Sequence, residues 1–255
     1  MSLEILTIPC LSDNYAYLLH NAASGETAAV DVPEAAPLLE VLADRGWTLT
    51  TILITHHHAD HVQGLADLLA QHPAQVIGAE ADAHRLPPLD VTAMDGDMLN
   101  ICGAPVQVLE VPGHTIGHIA FHFPQSGAVF TADSLMALGC GRLFEGTPAQ
   151  MHGSLSRLAA LPAETIVYSG HEYTQANAKF ALTIDPDNPD LISRAEAVSK
   201  ARECGAPTVP STLAEELATN PFLRAGETAI QQKLGMAGAD PVAVFAEIRA
   251  RKDRF

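Results

Sequence analysis

Residues 55–61 read THHHADH, four histidines and one aspartate in seven positions, directly after the apolar run Ile52-Leu53-Ile54. Alternate residues of an extended chain point the same way, so His56 and His58 share a direction and His57 faces away from them. His57 is therefore read as a non-ligand. Asp60 and His61 follow where the pattern turns helical. Imidazole nitrogens with a carboxylate suit zinc, iron or manganese better than calcium. A solvent-exposed histidine-rich loop is the plain alternative, but it gives five such groups no reason to be adjacent.

The same signal recurs further along. VPGHTIGH carries His114 and His118 after an apolar run, FTADSL places Asp133 just past Val129-Phe130, and VYSGHEYT places His171 just past Val167-Tyr168. Each is a metal-type residue a few positions beyond a strand. His56, His58, Asp60, His61, His114, Asp133 and His171 make seven candidate ligands. A tetrahedral ion takes about four, so seven fit two ions if one carboxylate bridges them. With no cysteine in the set, a catalytic site is favoured over a closed structural one. His20, His72, His84, His122 and His152 lack such a setting and are assigned to surface or packing.

Strands must position these residues. Residues 3–8, 16–19, 28–30, 51–54, 76–78, 106–111, 119–123, 128–130 and 166–168 read as strands, with helices at 35–42, 62–70 and 154–161. After Tyr173 strand signals end, and 176–182, 191–204, 213–218, 228–236 and 241–251 read as helices separated by prolines. Two sheets with outer helices satisfy the first part. The expectation is a catalytic α/β domain over 1–173 and a helical, substrate-binding domain over 174–255.

Composition narrows the function. The 255 residues are 47% hydrophobic and carry a net charge of −16. An acidic field of that size argues against nucleic acid and anionic membrane as partners. No apolar run approaches the ~20 residues of a membrane span. MSLEILTIPC shows no leader pattern, and Cys10, Cys102, Cys140 and Cys204 lie far apart, which suits reduced, buried thiols. A cytoplasmic location and a monomer are expected. The dense basic cluster is Arg249-Ala250-Arg251-Lys252-Asp253-Arg254.

The His-x-His-x-Asp-His run after a strand resembles the metallo-β-lactamase superfamily. GHEYT at 170–174, PTVPSTLAEEL at 207–217, NPFLR at 220–224 and the terminal RKDRF resemble, more narrowly, its glyoxalase II (hydroxyacylglutathione hydrolase) family. The resemblance implies an αββα sandwich with a C-terminal α-helical domain. It implies two divalent metal ions per chain, zinc first, with iron or manganese as alternatives. His56, His58 and His114 would hold one ion, Asp60, His61 and His171 the other, and Asp133 would bridge. Asp60 and Asp133 would be the catalytic carboxylates, and Asp31 would support a ligand histidine from behind.

The reaction implied is hydrolysis of S-D-lactoylglutathione, and of related S-2-hydroxyacylglutathiones, to the 2-hydroxy acid and glutathione. This is a step in methylglyoxal degradation. A hydroxide held between two cations would attack the thioester carbonyl. Arg142, Phe144, His171, Tyr173, Arg249 and Lys252 match the family's substrate positions. Arg142 stands where the family often has lysine, and Phe144 where it often has tyrosine. From the residues alone, Arg249 and Lys252 would be read as a basic helix C-terminus, with Arg249 pairing with Asp253. Two other readings compete: a mononuclear iron persulfide dioxygenase of the same superfamily, separated by metal stoichiometry, and a non-catalytic metal-stabilised scaffold, separated by thioester turnover.

Overall fold

The segment NYAYLLH is buried at every position, as expected of a strand covered on both faces. It is one strand of a mixed sheet. The computed structural model describes residues 3–255, and contact density divides it into two units. The first runs up to Glu110 and includes Ile116–Phe130; the second comprises Val111–Thr115 and Thr131–Phe255.

The first unit begins with β1 (Glu4–Cys10), β2 (Asn14–His20) and β3 (Glu26–Val30), then α1 (Ala35–Arg45) and β4 (Thr48–Leu53). The short α2 (Ala59–Val62) and α3 (Leu65–Gln71) lead to β5 (Gln75–Ala79) and β6 (Val91–Ala93). These six strands form one sheet in chain order. β1, β2 and β3 pair antiparallel through tight connections. β3, β4, β5 and β6 pair parallel, which requires crossovers, and α1 and the α2–α3 pair supply the first two. α1 buries Leu38 and Leu42 and stops at Gly46, whose φ of 64° lets its N–H reach the Ala43 and Leu42 carbonyls.

The continuous helix expected at 62–70 is broken. A Cβ on Gly64 would come within 2.7–2.9 Å of the Glu34–Ala35 backbone. Glycine there permits close approach, and the chain divides into α2 and α3 around it.

A meander follows: β7 (Met98–Ile101), β8 (Ala104–Glu110), β9 (Ile119–Phe123) and β10 (Ala128–Ala132), each paired antiparallel with the next. Tyr17 of β2 meets Phe130 of β10 at 5.3 Å, and Phe130 meets Phe123 at 5.5 Å. These rings join the two sheets within the unit's core.

The second unit holds the hairpin β11 (Leu135–Met136) and β12 (Gly139–Cys140), α4 (Pro148–Ala159), β13 (Ile166–Ser169), α5 (Thr174–Ile184) and α6 (Pro189–Glu203). β14 (Ser211–Thr212), α7 (Leu213–Thr219), α8 (Thr228–Lys233) and α9 (Pro241–Arg254) complete it. α4 starts on a capping box in which Thr147 and Gln150 satisfy each other's backbone N–H groups. Strands were not expected beyond Tyr173, yet β14 pairs with β13 through Ile166–Thr212 and Val167–Ser211; two residues carry no legible period. Phe222 lies 6.2 Å from Phe180 and 5.6 Å from Phe245, an aromatic core under the helices. Cys10, Cys102 and Cys140 are buried as expected, but Cys204 is exposed. Among the described residues, no helix is long and apolar enough to cross a membrane.

Candidate functional site

In the first unit the chain leaves β4 and reaches His56 and His61, both fully buried. Asp31, at the end of β3, organises them. Its Oδ1 accepts the Thr55 N–H at 2.9 Å, and its Oδ2 accepts the Thr55 hydroxyl at 2.8 Å. The same Oδ2 lies 2.8 Å from His61 Nδ1. With its hydroxyl proton committed to Asp31, Thr55 Oγ1 accepts from His56 Nδ1 at 3.0 Å. Both rings thus carry their proton on Nδ1 and present an Nε2 lone pair. Asp31 does this from a left-handed backbone with φ of 57°, a conformation Asp tolerates better than most residues.

His56 Nε2 lies 3.2 Å from His58 Nδ1. Ligand nitrogens on a tetrahedral ion with bonds of about 2.0–2.1 Å sit roughly 3.3 Å apart. Asp60 is held by Asn14, whose Nδ2 donates to the Asp60 carbonyl at 3.0 Å and to Oδ2 at 3.1 Å. Asp60 Oδ2 lies 3.9 Å from His61 Nε2. His57 turns elsewhere: its Nδ1 meets Asp82 Oδ2 at 3.1 Å, and Arg85 holds the same buried carboxylate. Asn14 and Asp82 were not singled out in the sequence, because a buried polar residue with a distant partner leaves no local pattern. His118 is also buried and stacks on His56 at 4.7 Å.

The second unit carries the remaining donors. Asp133 Oδ2 lies 3.4 Å from His114 Nε2 and 3.2 Å from His171 Nε2. His114 Nδ1 donates to the Arg142 carbonyl at 2.8 Å, which again leaves Nε2 as the lone pair. The donor chemistry therefore fits divalent cations in both units: imidazole Nε2 atoms fixed by hydrogen bonds behind them, with carboxylates beside them.

Groups expected to bind substrate gather in the same unit. Tyr173 stacks on His171 with ring centroids 4.6 Å apart. Phe144 packs edge-on to His114 at 5.3 Å and is 60% exposed, so it is no core residue. The Arg142 guanidinium lies 5.8 Å over Phe144 and 3.8 Å from Asp253. Arg249 is buried; its Nη1 donates to the Cys140 carbonyl at 3.0 Å and its Nη2 to Asp253 at 2.8 Å. Lys252 Nζ sits 5.1 Å over Phe180 and 3.4 Å from the Ala176 carbonyl. Burial, and then the Arg249 charge, pull its ammonium down to about 8.

The metallo-beta-lactamase superfamily model matches residues 22–171, and the model for the hydroxyacylglutathione hydrolase C-terminus matches 172–255. A hydroxyacylglutathione hydrolase from Roseobacter denitrificans is 66% identical over 255 residues, and one from Ruegeria pomeroyi is 65% identical; each alignment covers all of both chains. The solved structure of TTHA1623 in a di-iron-bound form is 28% identical with a TM-score of 0.61, covering 86% of this chain and 100% of that one. Identity at this level over the full length, with matches to both models, means that the chain belongs to the hydroxyacylglutathione hydrolase family of the metallo-β-lactamase superfamily.

Proposed function

We propose that the chain hydrolyses S-D-lactoylglutathione, and related 2-hydroxyacyl thioesters of glutathione, to the 2-hydroxy acid and glutathione, using two divalent metal ions. The observation that carries the reading lies in the second unit. Asp133 stands between His114 and His171, and aromatic residues suited to a substrate pack on those same two rings.

In this reading His56, His58 and His114 hold one ion, Asp60, His61 and His171 the other, and Asp133 bridges. Zinc is the first choice, with iron or manganese as alternatives; the di-iron relative supports iron. Bound there, the ions supply an acidified water near neutral pH and polarise the thioester carbonyl. Asp31 and Thr55 keep protons on the Nδ1 atoms of His61 and His56, so both rings face the site as bases. The Arg142 carbonyl does the same for His114. The leaving thiol has a pKa of about 8.5, so no dedicated proton donor is needed.

Glutathione brings two carboxylates. Arg142 and Lys252, with Arg249 behind them, supply the positive charge, Phe144 lines the glutathione part away from the carbonyl, and Tyr173 and His171 complete the substrate's surroundings. Residues 1–173 act as the catalytic part and 174–255 as the substrate-holding part of a cytoplasmic monomer. The test is metal content and S-D-lactoylglutathione hydrolysis on one purified sample. Two ions per chain with turnover are expected. A single iron and oxygen uptake with a glutathione persulfide would replace this reading with a dioxygenase.

A further inference from the structure

The family motifs TLAEEL and NPFLR lie far along the chain from Asp133, yet two of their residues reach the hairpin that follows it. Glu216 Oε2 accepts the Leu138 N–H at 2.9 Å. Asn220 Nδ2 donates to the Met136 carbonyl at 3.1 Å, to the Gly139 carbonyl at 2.9 Å and to Glu216 Oε2 at 3.0 Å. Asn177 Nδ2 donates to the Ala137 carbonyl at 3.0 Å. Three buried side chains thus hold four backbone groups of one turn. Leu138 in that turn has φ of 56°, a conformation a leucine keeps only where its surroundings impose it.

The hairpin's stem is tied to the ligand. Gly141 N–H donates to the Ser134 carbonyl at 3.1 Å, and a Cβ on Gly141 would collide with the Asp133 carbonyl. Just past the stem, the Arg142 carbonyl fixes the His114 ring. A shift of the hairpin therefore moves the Asp133 backbone and the acceptor of His114 together. Glu216 is fully buried, and its other oxygen accepts from Ser211 and Arg194. Four donors offset the cost of that buried charge, so the carboxylate can act as a rigid post.

We propose that Glu216 and Asn220 are positioning residues for Asp133, acting through the Leu135–Cys140 hairpin. The proposal rests on the reading of Asp133 as a metal bridge. It differs from simple helix stabilisation in what it moves: metal retention rather than melting alone.

The experiment loads the full chain with zinc, adds excess chelator at 25 °C, and follows zinc release for wild type, Glu216→Gln, Asn220→Ala and Asn188→Ala. Asn188 caps α6 and donates to the Ala218 carbonyl of α7, while the bonds to the hairpin come from Glu216, Asn220 and Asn177, so its variant reports on helix stability with those bonds in place. Glu216→Gln and Asn220→Ala are expected to release zinc at least tenfold faster than wild type and to lower kcat with KM nearly unchanged. Asn188→Ala is expected to melt earlier yet release zinc at the wild-type rate. Release that merely tracks melting temperature, or release unchanged in the hairpin variants, overturns the proposal. Should Glu216→Gln and Asn220→Ala fail to fold, Asn177→Ala removes one contact to the same turn. Severalfold faster release then supports the proposal and an unchanged rate overturns it. Wild type that holds fewer than two ions or spares the thioester sinks the functional reading instead.

Discussion

The two units organise their candidate ligands by opposite means. In the first, His56, His58, Asp60 and His61 fall within six consecutive positions; Asp31 braces His61 directly and His56 through Thr55, and Asn14 holds Asp60. In the second, His114, Asp133 and His171 come from three separate segments, braced by a backbone carbonyl and by a hairpin that helical residues hold. A contiguous set needs only the strand end to place it. A dispersed set has correct geometry only after the unit has folded around it, so its failures should be sensitive to distant residues.

The largest expected effect tests the dispersed set at its centre. Asp133→Asn keeps the shape but replaces a carboxylate oxygen facing two histidine Nε2 atoms. Activity should fall by more than about 100-fold with metal lost, while the circular dichroism spectrum stays native. A variant that holds two ions and turns over normally would remove Asp133 from the site.

The contiguous set is sharpened by a pair of neighbours. His58→Ala should lose metal and most activity. His57→Ala should keep both ions and substantial activity, since His57 bonds Asp82 instead. Equal metal loss in the two variants would show that direction along the loop does not decide ligation.

Those two outcomes bear on what was readable in the sequence. The alternation of directions in THHHADH already separated His57 from His56 and His58, and the apolar runs before His56, His114, Asp133 and His171 gave β4, β8, β10 and β13 within a few residues. β6, β7, β11, β12 and β14 were missed because strands of two to four residues have too little period to detect. The bracing groups were missed for a related reason. Asn14 reaches Asp60 across 46 positions and Asn220 reaches Met136 across 84, and such pairs exist only in the fold. Asp31 stood out solely through family resemblance, and its three contacts now give that position a physical reason.

The basic cluster offers a subtler test. Lys252, with its ammonium pulled down to about 8 by burial and then by Arg249, is charged below that pH and neutral above it. KM for S-D-lactoylglutathione should therefore rise between pH 7 and 9. Lys252→Arg, charged throughout, should flatten that rise. Lys252→Ala at pH 7 should raise KM roughly tenfold or more, because a charge-assisted contact contributes about 1.5–3 kcal/mol. A short thioester without glutathione's carboxylates should show neither effect; if it does, helix damage is being measured.

The smallest effect concerns Phe144. Its ring is well exposed beside His114, so Phe144→Tyr adds a hydroxyl without burying it. KM should drop roughly twofold to tenfold, the worth of a neutral hydrogen bond, with kcat and melting temperature unchanged. A lower melting temperature with no gain in KM would take Phe144 out of the substrate's surroundings.

Asp31 has one more consequence, for anyone re-engineering metal preference. It governs His61 directly and His56 through Thr55, and the proposed ligation puts those two rings on different ions. Any substitution that retunes the basicity of one ring from behind will retune the other. Independent choice of metal at the two positions therefore has to be sought elsewhere, for instance at Asn14 behind Asp60 or at the Arg142 carbonyl behind His114.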